Sequence, residues 1–345
     1  MKLLDSYSVT YTCPSNIALI KYWGKFATQF PCNPSLSMTL DKCHTKTTVH
    51  FTKVDSPSCD VELLFEGRKN PKFEVKLSKF LDEQSHIFPW LKHYALKIES
   101  HNTFPHSAGI ASSASSMGAL SMCLNDFDSA LKAQEGIDVN QCSSVARLGS
   151  GSASRSIFKN YSIWGECFVK DSSNEYAIEF SGFSKEFLTL RDAVLIVNDG
   201  EKAVSSRQGH ALMNEHPFKN VRYENAHKNL EMLIKAMKSG DTKSFVRIVE
   251  SEALELHGLM MNSNPSFILM KPQTLSIIEE IRNFRTMFEV DICFTLDAGP
   301  NVHLLYFEKD KDIVKKFINE TLLPLTHRET VIYDQIGLGP HKVLC

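Results

Sequence analysis

The sequence predicts an α+β fold in two domains. Three observations point there. Strand-like and helical segments are mixed without a regular βαβ rhythm, which favours α+β layers over a doubly wound sheet. The 345 residues are long for a single core. A buried-strand run, Arg191-Asp-Ala-Val-Leu-Ile-Val197, reads as the opening of a second half. The expected division is 1–190 and 191–345.

Taken in order, residues 7–12 and 17–22 alternate or run apolar and read as two strands. Thr45 to Phe51, rich in Thr and Val, is a third, and Val61 to Phe65 is a candidate to pair with it. Lys76 to Ile98 carries Leu, Phe, Ile and Trp at helical spacing, interrupted at Pro89. Ser112 to Phe127, rich in Ala, Ser, Met and Leu, reads as a buried helix. Ile157 to Val169 and Tyr176 to Phe180 read as strands. In the second half, helical patterns cover Val221 to Lys238, Thr242 to Met261 and Thr274 to Phe288. Strands at Asp291 to Leu296 and Val302 to Phe307 flank a turn. A helix near Lys311 to Thr321 and a strand near Thr330 to Asp334 follow.

Composition sets bounds. Hydrophobic residues are 43% and charged residues 23%, as in an ordinary globular protein. Lys plus Arg is 38 and Asp plus Glu is 40, a formal charge of -2 that gives no support to nucleic-acid or membrane-surface binding. An anionic ligand must be met by a local cluster of cations. The nine cysteines form no Cys-x-x-Cys pair and no zinc spacing, so free thiols in a reducing cytoplasm are expected. The N-terminus lacks the apolar core of a signal peptide, and no run approaches a membrane span.

Five segments carry candidate chemistry. Phe104-Pro-His-Ser-Ala-Gly-Ile-Ala-Ser-Ser-Ala-Ser-Ser-Met-Gly118 places small residues before a helix start, where free N–H groups and the helix dipole bind phosphate. It is not a Walker A loop, and alone it fits a small-residue core helix equally well. Residues 14–25 set Asn16, Lys21 and Lys25 in an apolar frame with Tyr22 and Trp23. A buried Lys there needs an anionic partner, whereas a surface-edge strand would leave the lysines in water. Gly149-Ser-Gly-Ser-Ala-Ser-Arg155-Ser and Glu201-Lys-Ala-Val-Ser-Ser-Arg207-Gln-Gly209 each put an Arg fork beside flexible small residues. Such turns are common on surfaces; together with the first loop they suggest two polyanions, a nucleotide and a phosphorylated substrate. Finally, Asp297 follows an apolar strand at a Gly-Pro turn. It fits a turn-stabilising Asp, or a carboxylate placed to accept a hydroxyl proton.

These segments together resemble the diphosphomevalonate decarboxylase family, a branch of the GHMP kinase superfamily. Asn16-Ile-Ala-Leu-Ile-Lys-Tyr-Trp-Gly-Lys25 is similar to its N-terminal signature almost letter for letter. Asn33-Pro-Ser-Leu-Ser-Met-Thr-Leu40, Phe104 to Leu120, Gly151-Ser-Ala-Ser-Arg155-Ser, Val204-Ser-Ser-Arg207-x-Gly209 and Asp297-Ala-Gly-Pro-Asn301 follow in the family's order. One such motif is weak; six in order are very specific. Two departures stand out. Ser154 replaces the Cys of Gly-Ser-Ala-Cys-Arg. After Gly209 the family often continues Met-x-x-Thr-x-x-Thr-Ser, where this chain has His210-Ala-Leu-Met-Asn-Glu-His-Pro-Phe218.

The resemblance implies a ribosomal protein S5 domain 2-like N-terminal half with the ATP loop and a ferredoxin-like C-terminal half with the catalytic Asp. The cleft lies between them. It implies ATP and Mg2+, a homodimer, and ATP-dependent decarboxylation of a 5-diphosphorylated mevalonate to isopentenyl diphosphate. By motif match, Asp297, Lys21 and Lys202 are catalytic. Tyr22, Trp23, Gly24, Lys25, Ser150, Gly151, Ser152, Ala153, Arg155, Ser206 and Arg207 bind substrate. Pro105, Ser107, Gly109, Ser112, Ser113 and Ser115 bind the nucleotide. No protein ligand of the metal is assigned, and the ATP oxygens with a serine hydroxyl are expected to hold it. A basic residue expected between 68 and 80 is contested by Arg68, Lys72 and Lys76. His101, His106, His210 and His216 are read as surface or supporting positions. The rivals are a kinase or decarboxylase of the same fold acting on mevalonate or its 5-phosphate, and a non-catalytic binding protein.

Overall fold

The computed structural model describes residues 4–56, 60–105, 110–200 and 206–344. The first half is one large sheet. It takes strands β1 (Ser6–Ile20), β4 (Ser35–Lys53), β5 (Val61–Phe65), β6 (Arg68–Lys69), β7 (Tyr94–Asn102), β8 (Tyr161–Trp164) and β9 (Ala177–Glu179), with the small hairpin β2 (Lys25–Phe26) and β3 (Phe30–Pro31) beside it. β1 and β4 run antiparallel along almost their whole lengths, with register shifts at Pro14/Asn16 and Ala18/Ile20. The segments 7–12 and 17–22 are thus one long strand, bent where its register slips, and Lys21 lies just past its end. β4 likewise extends well beyond Thr45 to Phe51.

Helices α1 (Pro71–Glu83), α2 (Ser112–Lys132) and α3 (Val139–Gly149) accompany this sheet. Asn70 caps α1 by accepting from the Phe73 N–H, with Pro71 at the first position. Asp138 caps α3 through the N–H groups of Asn140 and Gln141. Three expectations change here. Val61 to Phe65 does not pair with β4; it lies parallel to β7. Nor is Lys76 to Ile98 helical throughout. After Glu83 and a tight turn at Pro89–His93, the period switches to two, and β7 alternates Tyr94, Leu96, Ile98 and Ser100 inward. Ile157 to Val169 shortens to β8, because a tight helical turn occupies Gly151–Ile157.

The second half takes β10 (Leu190–Leu195), α4 (Ser206–Leu212), α5 (Lys219–Ser239), α6 (Thr242–Met261), α7 (Pro272–Phe288), β11 (Cys293–Leu296), β12 (Val302–Phe307), α8 (Lys311–Phe317) and β13 (Val331–Gln335). Its four strands are ordered β11-β12-β10-β13, all antiparallel, a ferredoxin-like arrangement. Gly240, in the left-handed region, ends α5, and Asp241 caps α6. The last strand, β14 (His341–Lys342), returns to the first sheet and pairs with β1.

The halves share a core in which Ile17, Leu19 and Leu36 pack with Phe187, Leu230 and Val249. Polar contacts lock the same seam. Asp334 on β13 accepts from the backbone N–H groups of Asp41, Lys42 and Cys43 at 2.8, 2.9 and 2.7 Å.

The first sheet packs on α2 through an aromatic cluster. Phe127 stacks on Phe51 at 4.1 Å and meets the edges of Trp90 and Tyr94. Phe127→Ala is expected to destabilise the protein by about 3–5 kcal/mol, since so enclosed a site cannot collapse. Urea unfolding of the variant against the parent measures this.

Candidate active site

Lys21 is delivered by the end of β1 and buried, 1% exposed. Its Nζ donates to the Ala18 carbonyl at 2.6 Å and lies 3.4 Å from Asp297 Oδ1. Burial pushes the ammonium below its ordinary value; the charge of Asp297 pulls it back, Glu252 adds to that pull, and Arg155 opposes it. Asp297 follows β11 directly, and its side chain is 26% exposed. Its carbonyl accepts from the Gly299 N–H at 2.7 Å and from His257 Nε2 at 3.1 Å. The pair is therefore a buried ammonium against a partly exposed carboxylate.

Arg155 completes a cationic wall. Its Nε donates to Asn16 Oδ1 at 3.3 Å and its Nη1 to Ser35 Oγ at 2.5 Å, while Asn16 Nδ2 donates to the Ser152 carbonyl and Ser156 Oγ. Burial lowers Arg155 to about 10, against the pull of Asp297. It stays charged but poorly solvated, so an incoming anion gains from it. Gly151 lets this turn approach Tyr22: an added Cβ would fall 2.9 Å from the Tyr22 hydroxyl and 3.0 Å from Trp164.

The segment that begins at His210 forms the neighbouring wall. His210 Nδ1 accepts from the Gly24 N–H at 3.0 Å, which leaves the proton of the neutral ring on Nε2. Its ring packs on Tyr22 at 4.3 Å and on Trp23 at 4.7 Å. Burial, then the charges of Lys25 and Arg155, hold His210 down at about 3. His216 is also buried, with Nε2 on the Leu259 carbonyl. Neither is a surface histidine, whereas His101 is exposed.

Beside this cluster, a cavity of about 440 Å³ opens between β5, β7, α1 and the start of α2. Leu63, Phe65, Phe73, Leu77, Ile98 and Met117 give it apolar walls. Thr47, Ser100, Lys76 and the α2 serines Ser112, Ser113 and Ser116 supply polar groups. Ser113 Oγ lies 3.2 Å from Ser150 Oγ, linking the cavity mouth to the turn that carries Arg155. Free N–H groups at the start of α2 and the helix dipole suit a phosphate chain there. Of the contested basic residues, Lys76 lines the cavity, while Arg68 and Lys72 are exposed elsewhere.

The expected site residues divide clearly. Lys21, Asp297, Tyr22, Arg155, Ser150 and Gly151 converge, with Ser112 and Ser113 adjacent. Ser152 joins through its carbonyl. Lys25 is half-buried beside His210, and Trp23 is buried against Met213 and Ala298. Ser115 is turned away: fully buried, its hydroxyl pairs with Thr45 Oγ1 at 2.6 Å. Ala153 sits in the core and Pro105 is exposed. Lys202, Ser107, Gly109 and His106 lie outside the described residues, as do the side chains of Ser206 and Arg207 at the start of α4. Among the described residues, no group of three or more His, Cys, Asp or Glu side chains could hold a metal ion.

Several participants were not singled out from the sequence. The cavity's Phe65, Phe73, Thr47 and Ser100 lie on ordinary strand and helix patterns. Asn301 accepts from the N–H groups of Val197 and Asn198 at 2.7 and 2.9 Å and so fixes the end of β10. Arg222, Glu252 and His257 are buried in α5 and α6. Their signal was a charge or imidazole inside an apolar helical stripe.

Comparison with known proteins adds an independent line. Residues 13–174 match the diphosphomevalonate decarboxylase-like N-terminal domain, and residues 193–340 the mevalonate 5-diphosphate decarboxylase C-terminal domain. The diphosphomevalonate decarboxylase of Gibberella zeae is 30% identical over 89% of this chain and 83% of its own. The solved structure of MDDEF in complex with MVAPP, AMPPCP and magnesium is 31% identical, with a TM-score of 0.84 over 98% of this chain and 99% of that one. The mevalonate diphosphate decarboxylase of Staphylococcus aureus is 29% identical, with a TM-score of 0.85 over 98% of both chains.

Two buried histidines set a pH response. Burial lowers His210 from 6.5 to about 3 and His257 from 6.5 to about 4. Below pH 6.5 the unfolded chain takes up these protons and the folded one does not, so stability falls as pH drops from about 6.5 towards those values. The urea midpoint should be lower at pH 5 than at pH 7. His210→Gln, which keeps an acceptor for Gly24, should narrow that difference.

Proposed function

The chain belongs to the diphosphomevalonate decarboxylase family, and on that premise we propose that it converts (R)-5-diphosphomevalonate and ATP to isopentenyl diphosphate, CO2, ADP and phosphate within the mevalonate pathway. The observation that carries this reading is the Lys21–Asp297 pair, a buried ammonium on a partly exposed carboxylate, in one half-to-half site with Arg155 and with a cavity reached through Ser113 and Ser150.

On this reading Asp297 accepts the proton of the substrate's 3-hydroxyl as that oxygen attacks the γ-phosphorus and the bond to ADP breaks. Lys21 keeps Asp297 ionised until then and offsets charge building on the transferring group. The C3–O bond next breaks with phosphate as leaving group. The C1–C2 electron pair then forms the C2=C3 double bond as CO2 departs. Arg155 holds the carboxylate end and orients it for that fragmentation, with Ser152 beside it. Tyr22 and Lys25 hold the diphosphate, with Ser206 and Arg207 assigned to the same end. Lys202 is assigned to the transferring phosphoryl group.

The nucleotide is assigned to the cavity, its base among Leu63, Phe65, Phe73 and Leu77 and its phosphates at Ser112 and Ser113. The hydroxyl oxygens at the start of α2 are hard donors of the kind Mg2+ takes, with the nucleotide phosphates supplying the rest. Bound with the nucleotide, Mg2+ would offset phosphate charge.

We assign the enzyme to the cytoplasm and to a homodimer. The seven described cysteines are all free, as a reducing compartment would leave them, and no described helix is long and apolar enough to cross a membrane.

Three outcomes test the reading. ADP and CO2 should be released together with 5-diphosphomevalonate, and turnover confined to mevalonate or its 5-phosphate would overturn the substrate assignment. Asp297→Asn should lower kcat by about 10³-fold while nucleotide still binds, the scale expected for losing a base that also orients the hydroxyl. Lys76→Ala should raise the KM for ATP by roughly tenfold and leave that for the second substrate unchanged, as for lost uniform binding.

A further inference from the structure

Lys21 and Asp297 lie 276 positions apart in the chain, and their separation must be held by something that touches both. Lys21 is past the end of β1, so the sheet no longer binds its peptide groups. Side chains do. Glu252 Oε2 accepts from the Lys21 N–H at 2.9 Å. The Lys21 carbonyl accepts from Arg222 Nη2 at 2.8 Å and from Asn33 Nδ2 at 2.9 Å. Arg222 grips both oxygens of Glu252, at 2.8 and 2.7 Å, and Asn229 donates to Oε1 at 2.7 Å. Five residues further along the same helix, His257 donates from Nε2 to the Asp297 carbonyl. At a rise of about 1.5 Å per residue, the two grips are roughly 7.5 Å apart along α6.

We propose that Glu252, locked by Arg222, and His257 are positioning residues: α6 sets the Lys21–Asp297 geometry by holding the backbone of each partner. The proposal rests on the catalytic roles given above to Lys21 and Asp297. A fully buried ion pair such as Arg222–Glu252, 0% exposed on both sides, is a poor source of stability, since apolar residues often do as well. What apolar residues cannot do is bind an N–H and a carbonyl at once. Glu252 also acts through charge. The charged or titratable groups around Lys21 are Asp297 beyond β11, Glu252 and His257 on α6, Arg222 on α5, Arg155 in the 151–157 turn and His303 on β12. Burial pushes Glu252 up, but the charge and hydrogen bonds of Arg222, joined by those from Asn229 and the Lys21 N–H, together hold the carboxyl below its ordinary value and ionised. Glu252 thereby helps Lys21 keep its proton.

The test is Glu252→Gln, assayed beside the parent enzyme with ATP and 5-diphosphomevalonate. A parent that does not turn over fails the functional reading itself, and the positioning role falls with it. With an active parent, a folded Gln variant should lose kcat by on the order of tenfold to a hundredfold, the scale of a small misplacement, with both KM values within about twofold. The alkaline limb of its kcat–pH profile should move to lower pH, because Lys21 loses a group that favours its charged form. An unshifted limb with parental kcat overturns the proposal and leaves the function standing. If the Gln variant does not fold, Glu252→Asp decides. It keeps the charge and shortens the reach, so kcat should fall with the limb unmoved, and parental kcat there overturns the proposal.

Discussion

A buried ammonium is the constraint around which the rest of this structure is arranged. Taking the Lys21 ammonium out of water is costly unless acceptors and opposite charge replace the solvent. The Ala18 carbonyl, Asp297 and, at longer range, Glu252 supply them, and each comes from a different element. β1 brings Lys21, the turn after β11 brings Asp297, and α6 backs both. Neither half can satisfy Lys21 alone, so the site exists only where the two sheets meet. The same burial suits the role proposed for the pair. Low polarity strengthens the hold of Lys21 on the carboxylate, and Asp297 is partly exposed, as a group proposed to meet a substrate hydroxyl should be.

That arrangement demands a seam that does not slide. Asp334 supplies one contact by receiving three consecutive N–H groups of β4, where a carboxylate replaces strand pairing. The chain then returns past β13, and Lys342 on β14 reaches both oxygens of Asp126 on α2, which also receive the hydroxyls of Tyr7 and Tyr11. The C-terminus thus ties the second half to the sheet and helix that shape the cavity. Rigid elements hold the cations and the carboxylate, and the start of α2 faces the cavity from the end of its helix.

How much of this could be read from the sequence depends on the range of the interaction. α6 and β12 were legible to the residue because their periodicity is undisturbed by neighbours. β7 was not, because Pro89 hides the change from helical to alternating period in a segment with apolar residues at both spacings. The meeting of Lys21 with Asp297 was legible only as chemistry: a Lys in an apolar frame requires an anion, and Asp297 was one of few offered. Ser115 shows the limit of reading a serine run as ligand contacts. In a helix only one face of Ser112-Ser-Ala-Ser-Ser116 can line the cavity, and Thr45 claims the hydroxyl on another. Glu252 and Arg222 each break an apolar helical stripe, which marks them as buried charges, but only the packing of α5 on α6 shows that they are each other's partners.

The departure after Gly209 illustrates how a pocket wall can change its chemistry and keep its place. A thioether at position 210, as the family often has, would fill space between Tyr22 and Trp23 but bind an N–H only weakly. His210 fills the same gap and accepts the Gly24 N–H as well. Gly24 itself is in the left-handed region, at φ +93°, and the hydrogen bond holds that turn, and hence Lys25 one residue on, in a set direction. The imidazole does this without adding charge, because burial between Lys25 and Arg155 keeps it neutral. A permanent third cation there would raise the mutual repulsion of the wall. A neutral ring leaves the cationic surface to Lys25 and Arg155 and stiffens it, so the change at 210 alters how the wall is braced and leaves the sign of its field as it was.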